Sequence, residues 1–184
     1  MNMSPIKRSP PTIEYILLGL LFKRTLHGYE LFKEIENDKT LSLIWRVKPS
    51  NLYALLDKLE SQGLLEHTRV IDEKRPNRKE YFLTATGEHT FLNWVHTPVK
   101  SMRYMRMVFL ARLYFAQGLG KDSANKLIRV QIAECQEWLQ NIQSRLETLG
   151  SDDFIANQVF QFRSGQVSAI LKWLRECKKL VNSP

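Results

Sequence analysis

The sequence is poor in residues that announce covalent or metal chemistry. Two cysteines in 184 residues, Cys135 and Cys177, are too few for a disulfide framework. Both fall in helix-like stretches and read as packing residues. Four histidines, His27, His67, His89 and His96, are scattered without metal-ligand spacing, and the sharing of a helix face by His89 and His96 does not make a site. There is no G-x-S-x-G elbow, no phosphate-binding glycine loop and no H-E-x-x-H. With no nucleophile–base set to assign, the sequence is read as a non-enzyme that needs no cofactor or metal. No run of 18 apolar residues occurs, so no segment is expected to span a bilayer. The opening MNMSPIKRSPP is polar and proline-rich with no apolar signal core behind it. It reads as a flexible arm over residues 1–10, and the expected compartment is the cytosol.

What is present is an ordinary soluble composition, 43% hydrophobic and 25% charged, with enough apolar material for a real core. The net charge is +8, from 27 Lys+Arg against 19 Asp+Glu, which is compatible with a polyanionic partner. Its distribution is uneven. Residues 1–96 hold 14 basic and 12 acidic side chains, whereas residues 97–184 hold 13 and 7. Any nucleic-acid contact in the first half must therefore come from local clusters.

Over residues 11–22 apolar side chains recur at Ile13, Ile16, Leu17, Leu20 and Leu21, a helical stripe with Pro11 suited to the first turn. A second helix is expected near His27–Asn37, with Tyr29, Leu31, Phe32 and Ile35 as its apolar set and Gly28 allowing close helix approach. Trp45–Val47 is a candidate short β segment. A third helix opens at Pro49-Ser50-Asn51, either with Pro49 as its first residue or with Ser50 as its cap. Leu52, Leu55, Leu56 and Leu59 then follow at helical spacing, with Gly63 a C-terminal cap. Ser50, Asn51, Ala54, Asp57 and Lys58 are left for the opposite surface. A short helix with an apolar stripe and a small, polar opposite face fits a major groove.

Leu64–Val70 and Lys79–Leu83 are strand-like and flank the polar turn I-D-E-K-R-P-N-R, a β-hairpin wing. Residues 69–79 contain Arg69, Lys74, Arg75, Arg78 and Lys79 against Asp72 and Glu73. Taken alone this is as readily a solvated tip as a phosphate contact; a neighbouring recognition helix favours the contact. Lys48 ahead of the third helix and Asn77 in the turn complete the candidate DNA-binding set. Thr84 caps a fourth helix to about His96, with Phe91, Leu92 and Val95 inward.

Four stretches together resemble the PadR family of bacterial transcriptional regulators: the opening L-L-G-L-L, H-G-Y-E-L of residues 27–31, P-S-N-L-Y-A-L-L-D-K-L-E-S-Q-G-L-L of residues 49–65, and R-K-E-Y-F-L-T-A-T-G of residues 78–87. Order and spacing agree over nearly all of residues 12–95. The resemblance implies a winged helix-turn-helix domain that binds palindromic operators as a dimer, usually as a repressor. It places Ser50, Asn51 and Tyr53 on the DNA side of the recognition helix, with Arg78 and Lys79 in the wing. Tyr53 by itself reads as core, and the resemblance instead implies a phosphate-contacting hydroxyl. Two departures stand out: Ala54 lies where the family often has proline, and Leu43–Lys48 matches weakly. Trp45 is held as core or pocket lining. The rival reading is a winged helix that binds protein without specific DNA binding, against which the basic hairpin speaks.

Thr97-Pro98 marks a boundary, giving a DNA-binding domain over residues 11–96 and a helical domain over residues 98–184. A helix is expected from about 98 to 117, carrying Met102, Met105, Phe109, Leu113 and Ala116 on one face, with Lys100, Arg103, Arg106 and Arg112 snorkelling or solvated. A longer one, from about Asp122 to Leu149, shows a heptad-like seam: Ile128, Ile132, Cys135, Leu139, Ile142, Leu146 and Leu149. A final helix carries Val159, Phe162, Ile170, Trp173, Leu174 and Val181, with Gly165 weakening its continuity. The fold class is thus mainly α with a small β-hairpin. The helices can close on themselves or pair across a two-fold axis, and the family resemblance implies a homodimer through this region, with the seam and Trp173 as candidate dimerisation residues. Trp94, Tyr104, Met105 and Phe109 flank the boundary and, with Trp45, suit a small apolar or aromatic effector. Ordinary interdomain core is the alternative. The resemblance adds weight to the effector, since some PadR-like regulators release DNA on binding phenolic acids.

Overall fold

The computed structural model describes residues 12–44, 49–72, 75–148 and 153–183. The chain divides into two compact units, Met1–Trp94 and Val95–Pro184. Among the described residues no helix is long and apolar enough to cross a membrane.

The first unit opens with α1 (Thr12–Leu21). Ile16, Leu17, Leu18, Leu20 and Leu21 are all buried, so the helix is enclosed over more of its circumference than a one-face stripe requires. Lys23, at φ 59°, takes the left-handed conformation that turns the chain out of α1. Strand β1 (Leu26–His27) leads into α2 (Gly28–Asn37). The Glu30 carboxylate reaches back to the His27 backbone N–H at 2.8 Å, one arm of a capping box. Leu31 and Ile35 are buried. Phe32 is only half-buried, and Tyr29, expected in the apolar set, is exposed with Lys33 Nζ 4.7 Å from its ring centroid. A helix that the hydrophobic pattern does not announce follows: α3 (Lys39–Ile44). Asp38 starts it by accepting from the N–H groups of Thr40 and Leu41 at 2.8 and 2.7 Å.

Helix α4 (Pro49–Ser61) begins at the proline, so Pro49 takes the first helical position. Leu52, Leu56 and Leu59 are its buried stripe. Gly63, at φ 67°, ends it as expected, and the Leu64 N–H bonds back to the Leu59 carbonyl at 3.0 Å, the closing bond of a Schellman end. Strands β2 (Leu65–Asp72) and β3 (Arg75–Leu83) form the wing. The sheet has three strands where two were expected, in the order β1-β3-β2: β1 adds to the free edge of β3 through Leu26 opposite Tyr81 and His27 opposite Glu80. Two residues are too few to show strand alternation, so only this distant partner makes β1 a strand.

Thr84 caps α5 (Ala85–His96). Its hydroxyl accepts from the Gly87 N–H at 3.0 Å and donates to the Gly63 carbonyl at 2.7 Å, tying α5 to the end of α4. Gly87 is required here, since a Cβ would stand 1.8 Å from the Leu64 carbonyl oxygen.

In the second unit the expected helix over 98–117 starts late and irregularly. A 3-10 turn (Met102–Tyr104) and a π turn (Met105–Phe109) precede α6 (Leu110–Gly118). The cause is visible in α7 (Lys121–Thr148). The buried Gln131 amide accepts from the Val99 N–H at 2.8 Å and donates to the Val99 carbonyl at 3.2 Å, replacing the helical bonds that Val99 would otherwise make. Glu134 holds Lys100, and Arg112 donates to the Thr97 carbonyl. Arg112, expected to snorkel or to be solvated, is instead 6% exposed. Helix α8 (Phe154–Asn182), capped by Asp153, runs unbroken through Gly165. It lies antiparallel to α7, with Asn125 near the start of one helix bonded to Asn182 at the end of the other.

Candidate nucleic-acid interface

The buried leucines of α4 turn Asn51, Tyr53, Ala54 and Asp57 outward, and all four are exposed. The side chains of Asn51, Tyr53 and Asp57 make no hydrogen bond or ion pair among the described residues. Their hydrogen-bonding capacity is not spent on the described part of the protein and is open to water or to a ligand. Tyr53 is 55% exposed, which removes it from the core. Its ring lies against α2, where Gly28 leaves room: a Cβ at residue 28 would stand 2.8 Å from Tyr53 Cε1.

Tyr53 and Asp57 line a groove of about 910 Å³ with His27, Tyr29, Lys33, Arg78 and Lys79, floored in part by Tyr81. The sheet brings these elements together. His27 Nδ1 lies 3.2 Å from the Lys79 carbonyl, and its Nε2 lies 3.3 Å from Glu80 Oε1. Burial, then the nearby negative groups Asp57 and Glu60, pushes the Tyr81 hydroxyl above its ordinary pKa, so it stays a neutral donor.

The wing is cationic at short range. Arg69 and Lys79 stand directly opposite one another across β2 and β3, which places both side chains on one face. Like charges so paired are destabilising, and a polyanion in front of the hairpin would offset that cost. Arg78, opposite Val70, belongs to the other face. Arg69, Arg78 and Lys79 are all exposed, and their cations have no carboxylate partner among the described residues.

Not every candidate joins this surface. Lys58 is ion-paired with the buried Glu14 at 2.7 Å, so its cation is engaged within the fold and not left for a ligand. Ser50 falls in the first turn of α4, and Arg75 and Asn77 in β3. Lys48 and Lys74 lie outside the described residues, as do Trp45, the β segment over 45–47 and the arm over 1–10. Tyr29, Lys33 and His27 join the groove although sequence reasoning did not select them, and Asp57, expected on the outward face of the helix, lines it too. H-G-Y of residues 27–29 was the available signal, but only the pairing of β1 with β3 brings it beside the wing.

The effector candidates are packed within their own units. Trp94 stacks parallel on Tyr15 with centroids 5.0 Å apart, and Phe109 meets Trp173 edge-on at 5.9 Å. Met105 is buried and Tyr104 half-buried. The α7 seam is also largely occupied within one chain. Ile128, Cys135 and Ile142 are buried, Ile132, Leu139 and Leu146 are half-buried, and Leu149 lies outside the described residues. Among the described residues of the second unit, the large apolar side chains left exposed are Met107 and, on α8, Phe154, Ile155, Val159, Phe162, Trp173 and Leu180.

The model of the transcriptional regulator PadR-like family matches residues 17–93, a span that contains α4 and the wing. The negative transcriptional regulator PadR of Bacillus subtilis (strain 168) is 28% identical over 139 residues, 74% of each chain. A crystal structure of Bacillus subtilis PadR in complex with operator DNA is similar at 25% identity over 92% of this chain and 99% of that one, with a TM-score of 0.44. A crystal structure of a Streptococcus mutans UA159 protein is 34% identical over 44% of this chain and 70% of that one, with a TM-score of 0.37.

Proposed function

We propose that the chain is a transcriptional regulator of the PadR-like family, whose model matches residues 17–93, and from that premise that it binds operator DNA through α4 and the wing and acts as a repressor. The observation that carries this reading is the set of unspent polar groups on one unit: Asn51, Tyr53 and Asp57 on an exposed helix face beside Arg69, Arg78 and Lys79 on the hairpin. Phosphate contacts from the hairpin and from the Tyr53 hydroxyl supply affinity, the former falling with salt, and other side chains of α4 reach base edges and supply discrimination. The regulator of Bacillus subtilis was solved on operator DNA, which agrees with the reading.

The acting species is proposed to be a homodimer held by the second unit. Its support is the exposed apolar set on α8, where Phe162 is 67% exposed and Phe154 and Ile155 are each 68% exposed. An apolar helix face of this kind is costly to leave in water. A two-fold dimer presents two recognition helices to half-sites about 34 Å apart.

Two experiments test the proposal. The full-length chain should shift DNA fragments flanking its own gene at salt concentrations where unrelated fragments stay free; equal binding of both would refute sequence-specific function. In sedimentation, the chain should run as a dimer at micromolar concentration, and Phe162→Glu should shift it toward monomer. A monomeric wild-type chain would refute the dimer, and an unaffected variant would move the interface away from α8.

A further inference from the structure

Of the two carboxylates that line the groove, Glu30 and Asp57, only Asp57 is unengaged among the described residues. Glu14 is paired with Lys58, Glu30 with the His27 N–H, Glu60 with His67, and Glu80 with His27. Asp57 has no hydrogen-bond or ion-pair partner among the described residues, although it lines the same groove as Lys33, Arg78 and Lys79. It is exposed, and one turn earlier the exposed Ala54 offers only a methyl group, so nothing on the helix shields the carboxylate from a ligand in front of it.

A carboxylate on a surface that receives a polyanion repels phosphates and lowers general affinity, so it is not a backbone contact. Ionised, it offers acceptors and no donor. In the major groove guanine presents acceptors at N7 and O6, and thymine presents an acceptor and a methyl group. Adenine presents its N6 donor beside the N7 acceptor, and cytosine presents an N4 donor alone. Only cytosine offers a donor without an adjacent repelling acceptor.

The geometry points to Asp57 as a specificity-determining residue that accepts from the N4 amino group of a cytosine at one symmetry-related pair of operator positions. This inference rests on the proposal that α4 faces operator DNA, and it deepens that proposal by naming the base that is read.

The test is selection of bound sequences by the full-length chain from a randomised duplex library, followed by titration of the selected site and its single-base variants. Three proteins are compared: wild type, Asp57→Ala and Asp57→Asn. The wild type should demand C·G at one pair of positions and lose about 5- to 150-fold in affinity for each of the two that is replaced, the span of one base-edge contact. Asp57→Ala should accept any base there. Asp57→Asn, which now has a donor beside an acceptor, should prefer adenine. Binding to unrelated DNA should rise in both variants. If the variants select the wild-type site unchanged and affinity shifts uniformly, Asp57 merely tunes charge and the inference is wrong. If the wild type selects no site at all, the DNA-binding proposal itself fails, an outcome distinct from the previous one. Asp57→Asn keeps the shape of the side chain and guards against a folding artefact in Asp57→Ala.

Discussion

Replacing Gly28 by alanine should weaken operator binding while leaving the fold intact, and the structure sets the size of each effect. The new Cβ would stand 2.8 Å from Tyr53 Cε1 and 3.5 Å from Leu56 Cδ1. An ordinary contact of this kind begins at 3.4 Å, so the ring must retreat by about 0.6 Å. Tyr53 is 55% exposed, so it can swing toward solvent without parting α2 from α4. The reduced freedom of the unfolded chain offsets part of the strain, by about 0.4–1 kcal/mol. The net change in stability should therefore stay within roughly 1 kcal/mol. Binding is more sensitive, because the hydroxyl lies at the far end of the lever. A hydrogen bond from Tyr53 to a phosphate contributes about 1.5 kcal/mol or more. Its loss is roughly tenfold per half-site and on the order of a hundredfold for a dimer on two half-sites. Operator titrations with Gly28→Ala, Tyr53→Phe and the double variant separate the routes. If Gly28 acts by seating Tyr53, Gly28→Ala costs nothing further once the hydroxyl is gone, and the coupling is as large as the single effect. Wild-type affinity in Gly28→Ala, or strictly additive losses, would refute the reasoning.

Gly87→Ala drives a Cβ to 1.8 Å from the Leu64 carbonyl oxygen, a backbone atom that cannot swing away; a loss of about 3 kcal/mol should lower Tm by roughly 6–12 °C, and unchanged melting would contradict the packing described. Gln131→Leu removes both partners of the Val99 peptide in a buried site and should cost about 2 kcal/mol, read by denaturant unfolding together with faster exchange of the Val99 amide; retained protection would show that other groups hold this segment. The raised pKa of Tyr81 makes the folded chain keep a proton that the unfolded chain loses above about pH 10, so stability should fall as pH rises past that point. Urea midpoints between pH 9 and 11 should show the fall, with a shallower slope in Tyr81→Phe; identical slopes would exclude Tyr81 as a source.

Much of the first unit was legible because its signals are local. Leu52, Leu56 and Leu59 mark the inner face of α4, Gly63 its end and Thr84 the start of α5, each through chemistry contained within a few residues. What escaped depends on partners distant in the chain. His27 joins a strand only because β3 offers it an edge, and Lys58 leaves the DNA-facing set only because Glu14, 44 residues earlier, is buried beneath it. The late start of α6 is set by Gln131 reaching back to Val99, and periodicity carries no trace of that. The seam of α7 was visible as a repeat, but a repeat does not say whether its partner belongs to the same chain, and Ile128, Cys135 and Ile142 are buried within this one. Asp57 was placed on the outward face of the helix; its importance emerged only when Glu30, the other carboxylate of the groove, proved to be engaged.

The central claim is that the outward face of α4 enters the major groove. Ala54 sits on that face and is exposed, whereas Cys135 is buried and Cys177 half-buried. A DNA-cleaving iron chelate attached to Ala54→Cys, in a chain carrying Cys177→Ser, reports which part of the duplex this face meets. Bound to its operator, it should cut at two symmetry-related places about one helical turn apart, each centred on a major groove. Random cutting along the fragment, or none while the fragment remains bound, would contradict the account.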